Sequence, residues 1–284
     1  MPRFQTDRTR FARIRARLET VDFARPWQRW IYEFLLFGLK QAWACLFGGL
    51  MLALLVGTYL FYPLDAALAR YDFLTLAALA IQIAMLAFRL ETLGEAKVIL
   101  AFHVVGTIME LFKTANGSWI YPESSLLRIG DVPLFSGFMY AAVGSYIARI
   151  WRIFDFRFSH YPSHWASYGL ATAIYVNFFA HHWLADIRWL LFGITAMLFW
   201  RCRVFFRPWK VRRRMPLLFG WLLVALFIWF AENLGTFARA WTYPGQQDGW
   251  EMVSFAKLGS WYLLMIISFV LVALVNRAEK PEQS

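Results

Sequence analysis

The sequence predicts an all-α polytopic membrane helix bundle of about eight transmembrane helices, arranged as two parallel four-helix repeats. Three observations carry that expectation. The chain is 60% hydrophobic with a mean hydropathy of +0.47, above what a soluble domain of its 284 residues carries. Its apolar residues gather into eight runs, near 42–62, 73–88, 98–112, 132–150, 165–179, 189–200, 217–231 and 254–275. A polar motif also occurs twice. Glu110, Thr114, Trp119, Tyr121 and Pro122 recur as Glu232, Thr236, Trp241, Tyr243 and Pro244, each 122 residues later. A repeat of that length in so apolar a chain indicates duplicated membrane halves.

Taken in order, residues 1–30 form a cytoplasmic basic amphipathic segment. Its eight arginines are spaced by Phe4, Phe11, Ile14, Leu18, Val21 and Phe23, a pattern that suits a helix lying on an anionic membrane surface. No short apolar core follows within it, which argues against a cleaved signal peptide. Residues 31–152 form membrane repeat 1, residues 153–276 membrane repeat 2, and residues 277–284 a cytoplasmic tail. A span needs about 17–25 residues to cross about 30 Å of hydrocarbon. The first and last runs satisfy this outright. The shorter ones need flanking Trp, Tyr and polar residues at the interface, and six or seven spans follow if one lies flat. Eight spans with both termini cytoplasmic place 23 of the 29 Lys and Arg residues inside, including the dense cluster from Arg201 to Arg214. That bias accounts for the net charge of +11 without a nucleic-acid partner. No disulfide between Cys45 and Cys202 is expected.

The offset maps the first span onto the fifth, and the third and fourth onto the seventh and eighth. An even number of spans separates the copies, so both run in the same direction, related by a pseudo-two-fold axis along the membrane normal. Sites in such proteins lie at the interface between repeats.

Ionisable side chains converge on one predicted face, the outer one. His103, Thr107, Glu110 and Lys113 share one stripe of the third span. His181, His182 and Asp186 close the fifth, Glu232 closes the seventh, and Lys257 opens the eighth. Such groups are costly in a bilayer and normally face the bundle or a water-filled cavity. Three readings compete. One is a packing network of Glu110–Lys113, Glu232–Lys257 or Glu232–Arg239 ion pairs. The second is a metal held by His181 and His182 with His103 or Asp186. Adjacent histidines point about 100° apart on a helix, and H-E-x-x-H does not occur, so no metal or other cofactor is expected. The third is acid–base work, with Glu110, Glu232, His182 and Asp186 as catalytic candidates. His103, Lys113, Trp119, Tyr121, Glu123, His181, Trp241, Tyr243 and Lys257 are then the substrate-binding candidates. The 15 Trp, 12 Tyr and 28 Phe exceed what interface belts absorb and could line a pocket for an elongated apolar molecule. The functional expectation is a multi-pass membrane protein with an outward-facing polar site. It partners membrane lipids and binds or modifies a lipophilic, isoprenoid-like molecule. Its alternatives are a small proton-coupled transporter and a non-catalytic assembly or structural protein.

The runs F-K-T-A-N-G-S-W-I-Y-P-E (112–123), P-L-F-S-G-F-M-Y-A-A-V-G-S-Y-I (133–147), A-H-H-W-L-A-D-I-R (180–188) and K-L-G-S-W-Y (257–262) resemble the YoaT-like family of bacterial integral membrane proteins, a domain of unknown function. That resemblance implies the bacterial inner membrane and brings no activity with it. A second likeness covers about thirty residues in each half. G-S-W-I-Y-P followed by G-D-V-P-L-F is similar to the W-x-Y…P motifs of membrane-bound carotenoid cyclases and hydratases, which also contain repeats. In those enzymes a pair of glutamates follows the proline. Here Leu134, Phe135 and Ser136 stand there, so Glu110 and Glu232 would have to supply the acids.

Overall fold

The computed structural model describes residues 20–63, 65–246 and 248–276. Most of the basic N-terminal segment (1–19) and the C-terminal tail (277–284) lie outside the described residues. Helix α1 (Pro26–Ala44) opens on proline, whose fixed φ suits the first helical turn. After a 68° bend at Cys45 comes α2 (Leu46–Phe61). Then follow α3 (Arg70–Ala87), α4 (Leu93–Ala115), α5 (Phe135–Ile153), α6 (His164–Ala180), α7 (Arg188–Phe199), α8 (Leu217–Phe237) and α9 (Phe255–Asn276). Each of the eight apolar runs of the sequence coincides with one of α2 to α9.

Among the described residues four helices are long and apolar enough to cross a membrane: α3, α4, α8 and α9. The bent pair α1 and α2 passes the same test together. From Leu217 to Ala231 helix α8 is apolar all round, yet Phe219, Phe227 and Phe230 face outward. A stretch with no polar face needs an apolar surrounding on its outer side. Helices α5, α6 and α7 have 19, 17 and 12 residues. Twelve residues rise about 18 Å, short of a bilayer core.

Two small sheets join this mostly helical fold. β1 (Arg128–Ile129) and β2 (Val132–Pro133) form a hairpin across Gly130, whose φ of 57° serves the turn. β3 (Arg157–Ser159), β4 (Arg203–Phe206) and β5 (Arg213–Pro216) form an antiparallel sheet in that order. The basic cluster from Arg201 to Arg214, in a chain expected to be all-α, therefore forms a β-hairpin in part. Its Val204-Phe205-Phe206 run has the β-branched and aromatic character that suits a strand. This sheet marks the basic end of the bundle; the repeated motif marks the other.

The tightest packing is between α4 and α5. A methyl group on Gly106 would sit 2.6 Å from Cβ and Cγ of Tyr140, and one on Gly137 would sit 2.5 Å from His103 Nδ1. Toward the basic end α5 buries Arg149 completely. Its guanidinium donates to the carbonyls of Trp43 (3.0 Å) and Leu90 (2.7 Å), and Nε lies 3.9 Å from Glu91. Glu91 also accepts from Gln82 (2.6 Å) and Ser145 (2.7 Å), which ties the turn before α4 to α3 and α5.

Candidate functional site at the motif end

Helices α4 and α8 finish in the same way. Gly117 and Arg239 adopt left-handed conformations, with φ of 68° and 50°. Their N–H groups donate to Thr114 (2.9 Å) and Thr236 (3.0 Å), while Ser118 and Ala240 reach back to Lys113 (2.9 Å) and Gly235 (3.0 Å). This paired C-cap satisfies carbonyls the helix leaves open and turns the chain back over its own last turns. Gly117 adopts this shape freely, whereas Arg239 must overcome a Cβ clash. The Arg239 carbonyl is held by Tyr71 Oη at 3.1 Å and Arg70 Nη2 at 3.3 Å.

The two returning segments then pair with each other. Ile120 N donates to the Thr242 carbonyl at 3.0 Å, and Thr242 N donates to the Ile120 carbonyl at 2.9 Å, an isolated antiparallel bridge. The bridge fixes the aromatic residues on either side above the two acids. Glu110, only 5% exposed, accepts from Trp119 Nε1 (2.7 Å), Tyr121 Oη (2.6 Å) and Tyr140 Oη (2.8 Å). Glu232, 3% exposed, accepts from Tyr243 Oη and Trp261 Nε1. The two donor sets touch. The rings of Trp119 and Tyr243 meet edge to face at 6.1 Å, and those of Tyr140 and Trp261 lie 6.4 Å apart. Burial and then the neighbouring carboxylates, Glu110 for Tyr121 and Glu232 for Tyr243, hold both loop phenols well above the ordinary tyrosine range.

The cations stand apart from the acids. Among the described residues, Glu110–Lys113, Glu232–Lys257 and Glu232–Arg239 do not form ion pairs within 4.0 Å. Lys257 Nζ sits over the Tyr243 ring at 4.0 Å and the Trp119 ring at 5.3 Å, a cation–π arrangement. Lys113 Nζ lies 3.0 Å from His182 Nε2, 3.3 Å from His181 Nε2 and 4.3 Å from the Phe178 ring centroid. Burial, and then Lys113, pull His182 below the ordinary histidine value.

The other candidates spread out. His103 faces Gly137 on α5, with Nδ1 buried and unpartnered. Asp186 accepts from Arg188 (2.5 Å) and Asn177 (3.2 Å) rather than His182. Glu123 pairs with Arg70 at 3.1 Å. Trp241 packs on Gly235, where a methyl group would collide with its indole ring, and makes no hydrogen bond to Glu232. Among the described residues no group of three or more His, Cys, Asp and Glu side chains is placed to hold a metal. Sequence reasoning passed over Tyr140 and Trp261 as site residues. Both sit inside apolar helices, and the 122-residue offset matches Tyr140 with Tyr262 rather than with Trp261.

Beneath the acids, between α4, α5, α8 and α9, lies a narrow cavity of about 30 Å³, with Gly106, Tyr140, Ile228, Trp261 and Ser268 in its wall. That is room for about one water molecule. A separate apolar groove of about 420 Å³ runs between α2 and α3, bounded by Leu54, Thr58, Phe61, Tyr62, Phe73 and Ile81.

Residues 33–269, which include both acids and every donor to them, match the family described as Protein of unknown function (DUF817). The chain belongs to that family. The DUF817 chain is also 44% identical over 252 residues to "Uncharacterized protein YoaT" of Bacillus subtilis (strain 168), covering 89% of this chain and 95% of that one. No solved structure matches it. The family assignment agrees with the resemblance drawn from the sequence motifs.

Proposed function

We propose that this DUF817 protein is a proton-exchanging protein of the bacterial inner membrane, in which Glu110 and Glu232 take up and release the proton. The observation that carries this reading is the chemistry around the acids. Each is buried against neutral tyrosine and tryptophan donors, with no cation within 4.0 Å among the described residues. An ionised carboxylate accepts from all of these groups. A protonated one can donate to a tyrosine oxygen, which both donates and accepts. Both charge states therefore find hydrogen-bond partners without backbone movement, which a fixed ion pair would not allow.

The reading includes two parallel halves, α2 to α5 and α6 to α9, each crossing the membrane four times. Support comes from α4 and α8 ending at Ala115 and Phe237, from left-handed caps at 117 and 239, and from the bridge between 120 and 242. All three pairs keep the 122-residue offset. The bridge joins corresponding residues reciprocally, as a local two-fold axis requires. Helix α7 completes a crossing only with its flanking residues. The basic end faces the cytoplasm together with both termini, and the acids open outward.

Within this reading, the acids are the coupling site of a small transporter. Support comes from the narrow cavity that continues from Tyr140 and Trp261 between the two halves. A second reading, acid–base chemistry on a lipophilic isoprenoid-like molecule, is favoured by the groove between α2 and α3, whose about 420 Å³ is of ligand size. Infrared difference spectra of the protein in lipid, recorded across a pH series, test proton exchange. A protonated-carboxyl band should grow as pH falls and lose intensity in Glu110→Gln and Glu232→Gln. A spectrum with no carboxyl band assignable to either residue at any pH would overturn the proposal.

A further inference from the structure

Lys113 poses an electrostatic problem that the glutamates do not solve. It is 4% exposed, near the C-terminus of α4, and its ammonium group has no carboxylate within 4.0 Å among the described residues. A buried cation normally has an anionic partner. Its contacts are instead two imidazoles and a phenyl ring. Lys257, half-buried nearby, adds repulsion, as does Arg188, while Asp186 attracts Lys113 but is itself paired with Arg188. This corner of the motif end therefore carries unbalanced positive charge.

The imidazole tautomers carry that charge to the surface. His181 Nδ1 lies 3.0 Å from the Asn177 carbonyl, which only accepts, so Nδ1 bears the hydrogen and Nε2 faces Lys113 with its lone pair. His182 Nε2 accepts from the same ammonium, which puts the His182 hydrogen on Nδ1. That N–H is polarised by Lys113 through the ring, belongs to an exposed residue, and has no partner among the described residues. Beside it, Trp183 and Trp189 are 70% and 79% exposed, with Leu184 at 69%. Tryptophan and leucine exposed at a helix end fit the interfacial zone of a bilayer, where acyl chains meet headgroups.

We propose that the Nδ1 hydrogen of His182, backed by the Lys113 charge that His181 helps to hold and flanked by Arg188, binds the phosphate of an anionic phospholipid whose chains lie against Trp183 and Leu184. The cationic corner supplies charge-assisted hydrogen bonds, and the exposed apolar residues distinguish a lipid from a free anion. The site rests on the membrane-spanning part of the proposed function and is independent of proton exchange at Glu110 and Glu232.

The test uses the full chain in nanodiscs of phosphatidylcholine with and without phosphatidylglycerol, reading retained lipid by native mass spectrometry. Wild type should retain phosphatidylglycerol in preference to phosphatidylcholine. His182→Phe keeps the ring packing on Phe112 and removes both nitrogens, and Lys113→Met removes the charge. Each should lower that preference about tenfold or more, the loss of one charge-assisted hydrogen bond. Because His182 is exposed, its variant remains informative if Lys113→Met fails to fold. An unchanged preference in His182→Phe, or displacement of the lipid by inorganic phosphate as readily as by soluble phosphatidylglycerol, would overturn the site. A negative infrared result at the glutamates would leave it standing.

Discussion

Replacing Glu110 by Gln and by Ala should have very different consequences, and the hydrogen-bond geometry sets their sizes. Trp119 Nε1 can only donate, and it shares Glu110 Oε2 with Tyr121, while Oε1 accepts from Tyr140. A glutamine with its oxygen toward Trp119 and Tyr121 places its NH₂ toward Tyr140 Oη, which can accept. Trp119 and Tyr121 keep their acceptor, and Tyr140 turns from donor to acceptor with only its hydroxyl hydrogen to redirect, so Glu110→Gln should cost about 1 kcal/mol. Alanine strands three donors in the interior at about 1–3 kcal/mol each, a loss of at least about 3 kcal/mol. With roughly 2–4 °C of melting temperature per kcal/mol in a chain of this size, Gln should shift the transition by under about 4 °C and Ala by more than about 6 °C. The same logic holds for Glu232, whose two donors leave its NH₂ facing Tyr243. Thermal unfolding in detergent, followed by tryptophan fluorescence, reads the difference. A Gln variant as damaged as the Ala variant would show that the negative charge itself holds the structure. The cost would then approach the about 3–5 kcal/mol of a broken buried ion pair, and the argument for proton exchange would fail.

Three further outcomes follow from the packing and the charges. Gly106→Ala should lose about 1–3 kcal/mol by forcing Tyr140 away, whereas Gly169→Ala on α6, with open space around it, should gain about 0.4–1 kcal/mol; equal effects on melting temperature would refute the contact geometry. His182 is held below its ordinary value of 6.5, chiefly by burial and then by Lys113 and His181, so its neutral form stabilises the fold above that pH and this contribution is lost as pH falls through the lower folded value. Amide exchange across residues 181–187 should accelerate on acidification in wild type but not in His182→Phe, and a wild-type rate insensitive to acid beyond the intrinsic change would contradict this. In a cysteine-free background, single cysteines at Asn116 and Asp248, both exposed, should react with an impermeant thiol reagent outside intact cells, and one at Arg213 should not; labelling at 213 from outside would reverse the proposed orientation.

Much of this was legible from residue order. Continuous apolar runs located α2 to α9, because hydrocarbon length and helical rise constrain the same stretch of chain. The matched motifs located Glu110 and Glu232, Trp119 and Tyr121, and the loops that return over them. The pairing of groups was less accessible. Opposite charges at helical spacing suggested Glu110–Lys113, yet Lys113 turns to the histidines at the end of α6, a contact 68 residues away that no local spacing encodes. Tyr140 and Trp261 were hidden because aromatic residues in an apolar helix look like packing until a buried acid is found beside the hydroxyl or indole. The β3–β4–β5 sheet was obscured by its arginines, which served only to orient an all-α topology although Val204, Phe205 and Phe206 carry strand character.

The bridge between Ile120 and Thr242 makes a single lid of two loops. Lifting either segment far enough to admit a molecule to its glutamate breaks both hydrogen bonds and frees the opposite segment at the same moment. The edge contact between Trp119 and Tyr243 ties the donor set of one acid to that of the other. Under the proposed function access is thus shared: one opening would uncover both carboxyls and expose capacity for two protons.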